Sequence, residues 1–589
     1  MRRLGRFMLW VMAVIGAMTT ALIVGLVVLA WRFEVTDQPA DLPDRMILQL
    51  RVGDTVNEVI AGPQWARHLR RDRPASLFQM VRSLDHAAAD PRVVGVFADL
   101  SQAGLSLAEA QELRAAISRF RAAGKPAHAY ADSFDEGSGV GVYYLASAFN
   151  HITLQPSGLF EVTGIVIEVP MLGDALRELG VTPRFGARHE YKSAVVSFTD
   201  RRLPAAVRDN LQKLADRLFA QVTAGIAEAR RQSAATVGRL IDGAPLLAKE
   251  AKANGLVDWL AYRDQAVRRV RGELGAQTFM AVADYYPAAV AAAGDTDRPR
   301  IAVVPLTGDI VRHGGHRLGE DGALNAGQVR RAFRTLRRDK RVRAVVLRVD
   351  SPGGSYIAAD TIRHEIGRLV AAEKTVVVSM SDVAASGGYF IALAADHVLA
   401  QAGSITGSIG VFGGKFVTRD LLARWSAEVA DVRAGANAGV YSPFRDFSAS
   451  QQTRMDAILD AIYADFTNRT MRARALGRRA IDSAARGRVW TGVDAKELGL
   501  IDGLGGFHEA VALARQSLDL ADGAAVDVMI YPRPRGVIDS AYDLLEDSGL
   551  RQWSALLHAL PILTAGAARL GTLPVSGGDR ARVAIRLTQ

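Results

Sequence analysis

Two glycine-rich segments carry residue types that are suited to acyl-transfer chemistry. The segment DSPGGS at residues 350–355 follows the apolar run Ala344–Val349, and AASGGY at residues 384–389 follows the run Thr375–Ser379. A Gly-Gly turn at the end of a strand lets backbone N–H groups point outward, and two neighbouring turns can supply two donors to one oxygen, as an oxyanion hole does. Ser386, at the start of a predicted helix, then stands where a nucleophile belongs. A helix N-cap with two tight turns is the alternative interpretation.

A serine nucleophile needs a base, and the histidines are poor candidates for it. His151 and His397 occupy equivalent positions of an internal duplication described below, which indicates a shared structural role. The His-Glu pairs at 189–190 and 364–365 lack the second histidine of HExxH, so a zinc protease of that type is excluded. The absence of cysteine excludes disulfides, thiolate metal sites and cysteine nucleophiles. The sequence predicts neither a metal nor a cofactor.

The chain contains two copies of one sequence pattern. Three collinear pairs of segments match at slowly drifting offsets of 249, 246 and 244: residues 90–97 with 339–346, 143–152 with 389–398, and 251–258 with 495–502. Such a series indicates an internal duplication.

The duplication points to Lys192 as the base. At the offset of 246, Lys192 falls on Ala438, whereas Ser386 falls opposite Val140. One copy therefore has the lysine without the serine and the other has the serine without the lysine, which predicts a composite site built from both copies. Lys415, nearer to Ser386 in the sequence, is the alternative base.

Within each copy, short apolar runs alternate with amphipathic stretches. In the second copy, runs 301–306, 344–349 and 375–379 are typical of strands, and stretches 326–337 and 358–372 are typical of helices. This alternation predicts an α/β fold with parallel sheets and crossover helices. We expect the following divisions: a tail at 1–6, a membrane anchor at 7–31, an N-terminal repeat at 46–287, a linker at 288–299, a C-terminal repeat at 300–532, and an extension of unknown role at 533–589.

Residues 7–31 form an uncharged run of 25 residues, which is long enough to span a bilayer. Basic residues precede this run and acidic residues follow it, so the N-terminus is expected in the cytoplasm and the main body outside it. A cleaved signal peptide is the alternative, but its apolar region is shorter. The net charge of +10 includes four arginines that flank this run, and without a basic-aromatic cluster nucleic-acid binding is not expected.

The motifs together resemble the long form of bacterial signal peptide peptidase A. The resemblance rests on Ser-Pro-Gly-Gly, Ala-Ala-Ser-Gly-Gly-Tyr, the TGSIG run at 406–410 and Tyr-Lys-Ser-Ala at 191–194, and it covers roughly residues 7–530. It implies a Ser-Lys protease of the ClpP/crotonase-like superfamily, with Ser386 as nucleophile and Lys192 as general base. By the same resemblance, Ser408 orients the lysine, and the oxyanion donors are Gly353 or Gly354 together with Gly387.

The resemblance also implies cleaved signal peptides as substrates, a homo-oligomer (a tetramer) and a bacterial inner-membrane location with a periplasmic catalytic body. Two other classes of function stay open on the residues alone. A crotonase-like acyl-CoA enzyme shares the paired glycine turns, and a non-catalytic envelope scaffold could keep the same fold.

Overall fold

The computed structural model describes residues 41–58, 75–135, 139–291, 298–314, 322–518 and 526–532, with Leu318, a few isolated residues between 10 and 25, and Leu587–Thr588. Nearly all of these belong to one compact unit, Asp41–Ile60, Pro74–Pro532 and Ala584–Gln589. The other unit, Met1–Ala40, Ala61–Arg73 and Arg533–Val583, consists mostly of residues outside the described ones.

The first copy is built on a six-stranded parallel sheet. In spatial order its strands are Phe279–Ala281, Met46–Arg51, Val93–Asp99, Ala127–Ala131, His151–Leu154 and Trp259–Leu260. Shorter strands lie at Leu159–Phe160, Val166–Ile167, Thr182–Arg188 and Leu246–Leu247. The helices are Leu77–Ala89, Leu107–Ala122, Gly139–Ala146, Gly173–Glu178, Val196–Thr199, Ala205–Arg230, Ala234–Asp242, Ala248–Ala253, Arg263–Leu274 and Val282–Ala291, with a 3₁₀ turn at Ser193–Val195.

The second copy repeats this sheet in the same order. The corresponding strands are Asp527–Ile530, Arg300–Thr307, Val342–Ser351, Thr375–Ala385, His397–Ala400 and Gly503–Leu504, all parallel. Further strands of this copy are Asp309–Val311, Ala323–Asn325, Ile405–Gly407, Val411–Val417 and Val489–Thr491, and the strand Leu587–Thr588 lies beyond it in the chain. The helices are Ala326–Arg338, Tyr356–Val370, Gly387–Ala392, Arg419–Arg424, Ala449–Ala473, Arg478–Ala484, Gly492–Glu497 and Phe507–Gln516.

The two copies also share a buried tyrosine hydrogen bond and an arginine–aspartate ion pair. The Tyr143 hydroxyl donates to the Leu256 carbonyl at 2.7 Å, and the Tyr389 hydroxyl donates to the Leu500 carbonyl at 2.8 Å. In the same way, a guanidinium and a carboxylate pair at 2.8 Å in both copies, Arg230 with Asp258 and Arg474 with Asp502. A polar group buried without a partner destabilises the fold, and each copy satisfies the buried tyrosine hydroxyl with the corresponding carbonyl.

An antiparallel ribbon joins the copies. Strand Thr182–Arg188 of the first copy pairs with strand Val411–Val417 of the second over seven residue pairs, from Thr182 with Val417 to Arg188 with Val411. The guanidinium of Arg188 then contacts Asp456 at 3.0 Å and Asp460 at 2.5 Å on helix Ala449–Ala473. Because Lys192 follows this ribbon by only four residues, the pairing carries it to the second copy.

The α/β fold with parallel sheets is confirmed, and the predicted strands and helices of the second copy are observed with shifted ends. The largest shift affects the predicted strand 375–379, which extends to Ala385 because Ile405–Gly407 pairs with its second half. The predicted span at residues 7–31 lies, apart from isolated residues, outside the described part of the chain, as does the extension at 533–589 except for Leu587–Thr588. Among the described residues no helix has the length and hydropathy that crossing a bilayer requires.

Candidate active site

Ser386 lies at the junction of strand Thr375–Ala385 and helix Gly387–Ala392. Its backbone has φ of +54° and ψ of −116°, a conformation that non-glycine residues rarely adopt and that must be imposed by the surroundings. Its N–H donates to the Gly407 carbonyl at 2.9 Å, which fixes the turn against strand Ile405–Gly407. The side chain makes no capping hydrogen bond to the helix, so the N-cap interpretation of Ser386 is not what the structure shows.

The Lys192 amine meets the Ser386 hydroxyl. Lys192 Nζ lies 2.9 Å from Ser386 Oγ, although the two residues are 194 positions apart in the chain. Nζ also donates to the carbonyl oxygen of Ser408 at 3.0 Å and lies 2.9 Å from its Oγ. The structure thus brings the lysine of one copy and the two serines of the other into one hydrogen-bonded group.

Burial changes the protonation of this amine. Only 4% of the Lys192 surface is exposed, and this burial lowers the pKa of Lys192 from 10.5 to about 7 because the charged form loses its hydration. Two glycines create the necessary space. A Cβ atom on Gly487 would lie 2.4 Å from the Lys192 backbone nitrogen, and one on Gly410 would lie 3.1 Å from the Lys192 Cδ. Gly410 closes the TGSIG run, but the contact of neither glycine with Lys192 was predicted, since each contact joins residues distant in the chain.

Ser408, like Ser386, has a positive φ, of +49°, which is uncommon for a residue other than glycine. Its N–H donates to the Arg488 carbonyl at 2.6 Å, which ties it to the segment that precedes strand Val489–Thr491. This conformation turns both the Ser408 carbonyl and its hydroxyl toward Lys192.

The glycines of the two turns pack backbone against backbone. Gly353 and Gly354 have φ of +108° and +144°, values that favour glycine. A Cβ on Gly353 would lie 2.6 Å from the Gly387 nitrogen, so no larger residue can bring the turns this close. The Gly353 N–H donates to Ser351 Oγ at 3.2 Å, whereas within the described residues the Gly354 and Gly387 N–H groups have no backbone acceptor. Gly354 is itself held by Ile310, whose N–H and carbonyl bond to its two neighbours.

Lys415, the alternative base, is directed elsewhere. Its Nζ donates to the Val440 carbonyl at 3.0 Å and lies 4.2 Å from the centre of the Phe447 ring. His151 stacks on Trp259 with ring centres 4.3 Å apart, in line with a structural role. Across the described part of the chain, no group of three or more acidic, histidine or cysteine residues has metal-binding geometry.

Comparison with known proteins decides the family. A model of peptidase family S49 matches residues 119–277 and 368–521, one segment in each copy and together more than half of the chain. The chain belongs to peptidase family S49. Protease 4 of Haemophilus influenzae is 31% identical over 77% of this chain and 75% of its own length, and Protease 4 of Salmonella typhi is 32% identical over 75% and 72%. A chloroplastic serine protease SPPA of Arabidopsis thaliana is 28% identical over 78% and 68%.

Membership in family S49 makes the chain a serine protease, and a Ser-Lys dyad is typical of this family. It thereby favours peptide hydrolysis over the acyl-CoA enzyme and the scaffold. Among solved structures, a ClpP1 variant from Listeria monocytogenes covers 36% of this chain with 14% identity and a TM-score of 0.24, which is too low to assign a fold.

Proposed function

We propose that Ser386 is the nucleophile of this S49 protease and that Lys192 is its general base. The observation that supports this assignment is the 2.9 Å approach of a buried amine, whose pKa is lowered to about 7, to a serine hydroxyl. A neutral amine has two N–H groups and one lone pair. Since the Ser408 carbonyl can only accept, one N–H points to it, the other can point to Ser408 Oγ, and the lone pair is left for the Ser386 proton.

The reaction then proceeds by acyl transfer. Lys192 takes the proton as Ser386 Oγ attacks the peptide carbonyl, and it returns this proton to the leaving amine. We assign the oxyanion donors to the Gly354 and Gly387 N–H groups, because the Gly353 N–H already bonds to Ser351. Gly353 contributes its left-handed backbone and the close approach of the two turns. In the second half of the reaction Lys192 takes a proton from water as the water attacks the acyl group, and it returns this proton to Ser386 Oγ as the acyl group leaves.

We further infer that the substrates are cleaved signal peptides and other apolar peptides. We also infer that residues 7–31 anchor the protein in the bacterial inner membrane, with residues 46–287 and 300–532 on the periplasmic side. The support is the uncharged run with basic residues before it and acidic residues after it. Each repeat is inferred to have the ClpP/crotonase-like fold, on the parallel sheet that both repeats share; the paired glycine turns of the second repeat add support for that copy.

Assembly with further copies is supported by the duplication. At the offset of 246, the counterpart of strand Val411–Val417 is residues 165–171, and the counterpart of strand Thr182–Arg188 is residues 428–434. Residues 428–434 form no strand in the structure, and Val429 and Val432 are exposed. We propose that this segment pairs with residues 165–171 of the next molecule, as the ribbon pairs within one molecule. Val166–Ile167 already accepts Leu587–Thr588 as an antiparallel partner, so this edge can bind a strand.

Active-site labelling tests the assignment of the dyad. A fluorophosphonate should attach to Ser386 of the full-length protein, and Ser386→Ala should abolish the label. Lys192→Ala should suppress labelling and hydrolysis of a chromogenic peptide ester without unfolding the protein, whereas Lys415→Ala should retain both. Loss of activity in Lys415→Ala alone, or attachment at another serine, would overturn the assignment.

A further inference from the structure

The pairing between the two strands that hold the glycine turns is irregular at one residue. Val349 pairs with Met380 and Ser351 pairs with Ala384, so Asp350 alone faces the three residues 381–383. Such a bulge interrupts the backbone ladder and leaves N–H groups without their usual partners. Asp350 bridges the gap, because its Oδ1 accepts the Val383 N–H at 3.1 Å.

This contact lies between the two halves of the catalytic apparatus. Asp350 precedes Gly354 by four residues, and Val383 precedes Ser386 by three. The hydrogen bond therefore connects the glycine turn at 350–355 with strand Thr375–Ala385, the nucleophile strand, at the point where the backbone pairing of the two strands is broken. The Asp350 carbonyl also accepts the Gly308 N–H at 2.8 Å, which fixes the other side of the same residue.

The strand that carries Asp350 is anchored to the first copy through Arg348, which is fully buried. Its guanidinium bonds to Glu58 at 2.8 Å and to Glu112 at 2.8 Å, and it donates to Ser379 Oγ at 2.9 Å. It also lies 4.3 Å from the centre of the Phe507 ring. Separating the partners of a buried charge pair costs a large free energy. This network therefore holds strand Val342–Ser351 in a fixed position against the first copy.

Three other carboxyl groups face Asp350 from neighbouring segments. Asp382 lies on the nucleophile strand, Glu58 in the segment after the first strand, and Glu109 on helix Leu107–Ala122, while Arg348 is the facing cation. Burial, with the charges of Asp382 and Glu58, raises the pKa of Asp350 to about 7. Burial likewise raises the pKa of Asp382 to about 6, and that of Glu109 to about 8.

We propose that Asp350 is a positioning residue of the protease reaction: by accepting the Val383 N–H across the bulge, it sets the distance between the Gly354 N–H and Ser386. This inference rests on the proposed roles of Ser386 and Gly354. It requires the side-chain oxygen as an acceptor and does not require a negative charge, since a protonated carboxyl or an amide also presents a carbonyl oxygen.

Three variants test the proposal in the full-length protein. Asp350→Ala removes the acceptor, and Asp350→Asn keeps it without an ionisable group. Asp396→Ala is the matched control, because Asp396 Oδ2 accepts the Val376 N–H at 2.8 Å at the far end of the same strand. Active sites are counted by fluorophosphonate labelling, and kcat and KM for a chromogenic peptide ester are expressed per labelled site.

We expect Asp350→Ala to lower kcat about 10- to 100-fold with KM within twofold, as for a misplaced oxyanion donor. Asp350→Asn should stay within about threefold of the unaltered protein, and Asp396→Ala within twofold. The proposal is overturned if Asp350→Ala keeps its kcat per site, if Asp396→Ala loses as much, or if Asp350→Asn is as impaired as Asp350→Ala. Should Asp350→Ala not fold, Asp350→Asn still decides between acceptor and charge. Failure of the dyad assignment is recognised separately, by labelling away from Ser386 in the unaltered protein.

Discussion

The acidic side of the pH profile is the sharpest consequence of the buried lysine. With a pKa of about 7, about half of Lys192 is neutral at pH 7, whereas at the ordinary value of 10.5 only about 0.03% would be neutral. Burial therefore increases the fraction of competent base by roughly a thousandfold. We expect kcat/KM to increase with pH along a single ionisation whose midpoint lies near pH 7. Its value should be about a hundredth of the plateau at pH 5 and about a tenth of the plateau at pH 6.

The assay is initial-rate hydrolysis of a chromogenic peptide ester between pH 5 and 8. The rate of fluorophosphonate labelling of Ser386 should follow the same curve, since it depends on the same base. A rate that is constant over this range, or one that still rises tenfold per pH unit at pH 8, would refute the role of Lys192.

The variant Lys192→Met supplies an independent readout, namely stability. A lysine whose pKa is lower in the folded state disfavours folding fully below about pH 7, and this penalty disappears as the pH rises toward 10.5. The difference of about 3.5 in pKa corresponds to about 5 kcal/mol, and the contacts to Ser386 and Ser408 offset about 3 kcal/mol of it. At pH 6, Lys192→Met should thus be inactive yet more stable by about 1–2 kcal/mol in urea unfolding, and a less stable variant would contradict the cause given for the pKa.

Two further predictions concern the surroundings of the dyad and the assembly. Ser408→Ala should lower kcat about 10- to 100-fold, because the amine loses one of the acceptors that direct its lone pair, and unchanged kcat would show that the carbonyl alone suffices. In the ribbon Phe412 pairs with Ala187, and at the offset of 246 these two positions correspond to Val166 and Arg433. In this cysteine-free chain, the double variant Val166→Cys with Arg433→Cys should therefore form disulfides between molecules, seen as a ladder of cross-linked species. The control, Phe412→Cys with Ala187→Cys, should form its disulfide within one chain. If the first pair gives no ladder, but Val166→Cys with Thr588→Cys forms a disulfide within one chain, the chain's own C-terminal strand is the partner of strand Val166–Ile167.

Local patterns predicted the parts of the fold that depend on local sequence. The runs at 301–306 and 344–349 became strands Arg300–Thr307 and Val342–Ser351 because they are apolar and rich in valine, and burial on both faces of a parallel sheet favours such runs. The complementary residues of the two copies predicted that Lys192 and Ser386 meet, and the structure places them in contact.

Features that depend on distant contacts were not predicted. Strand Thr182–Arg188 has two arginines and a proline, and it pairs only because a strand of the other copy lies beside it. The buried group around Arg348 joins residues 58, 112 and 348, which no spacing rule connects. Asp350 stands within the DSPGGS motif, but its role depends on a bulge that the sequence does not reveal.

With Ser386 and Lys192 in their proposed roles, the duplication gives the ribbon a part in activity although it contains neither residue. Both copies keep the same sheet order, the same buried tyrosine bond and the same arginine–aspartate pair. The residues of the proposed dyad are instead divided between the copies, with Val140 and Ala438 at the two corresponding positions. Neither copy can hold a lysine beside a serine alone. In the proposed site, the seven residue pairs that join Thr182–Arg188 to Val411–Val417 therefore bring the lysine of one copy to the serine of the other.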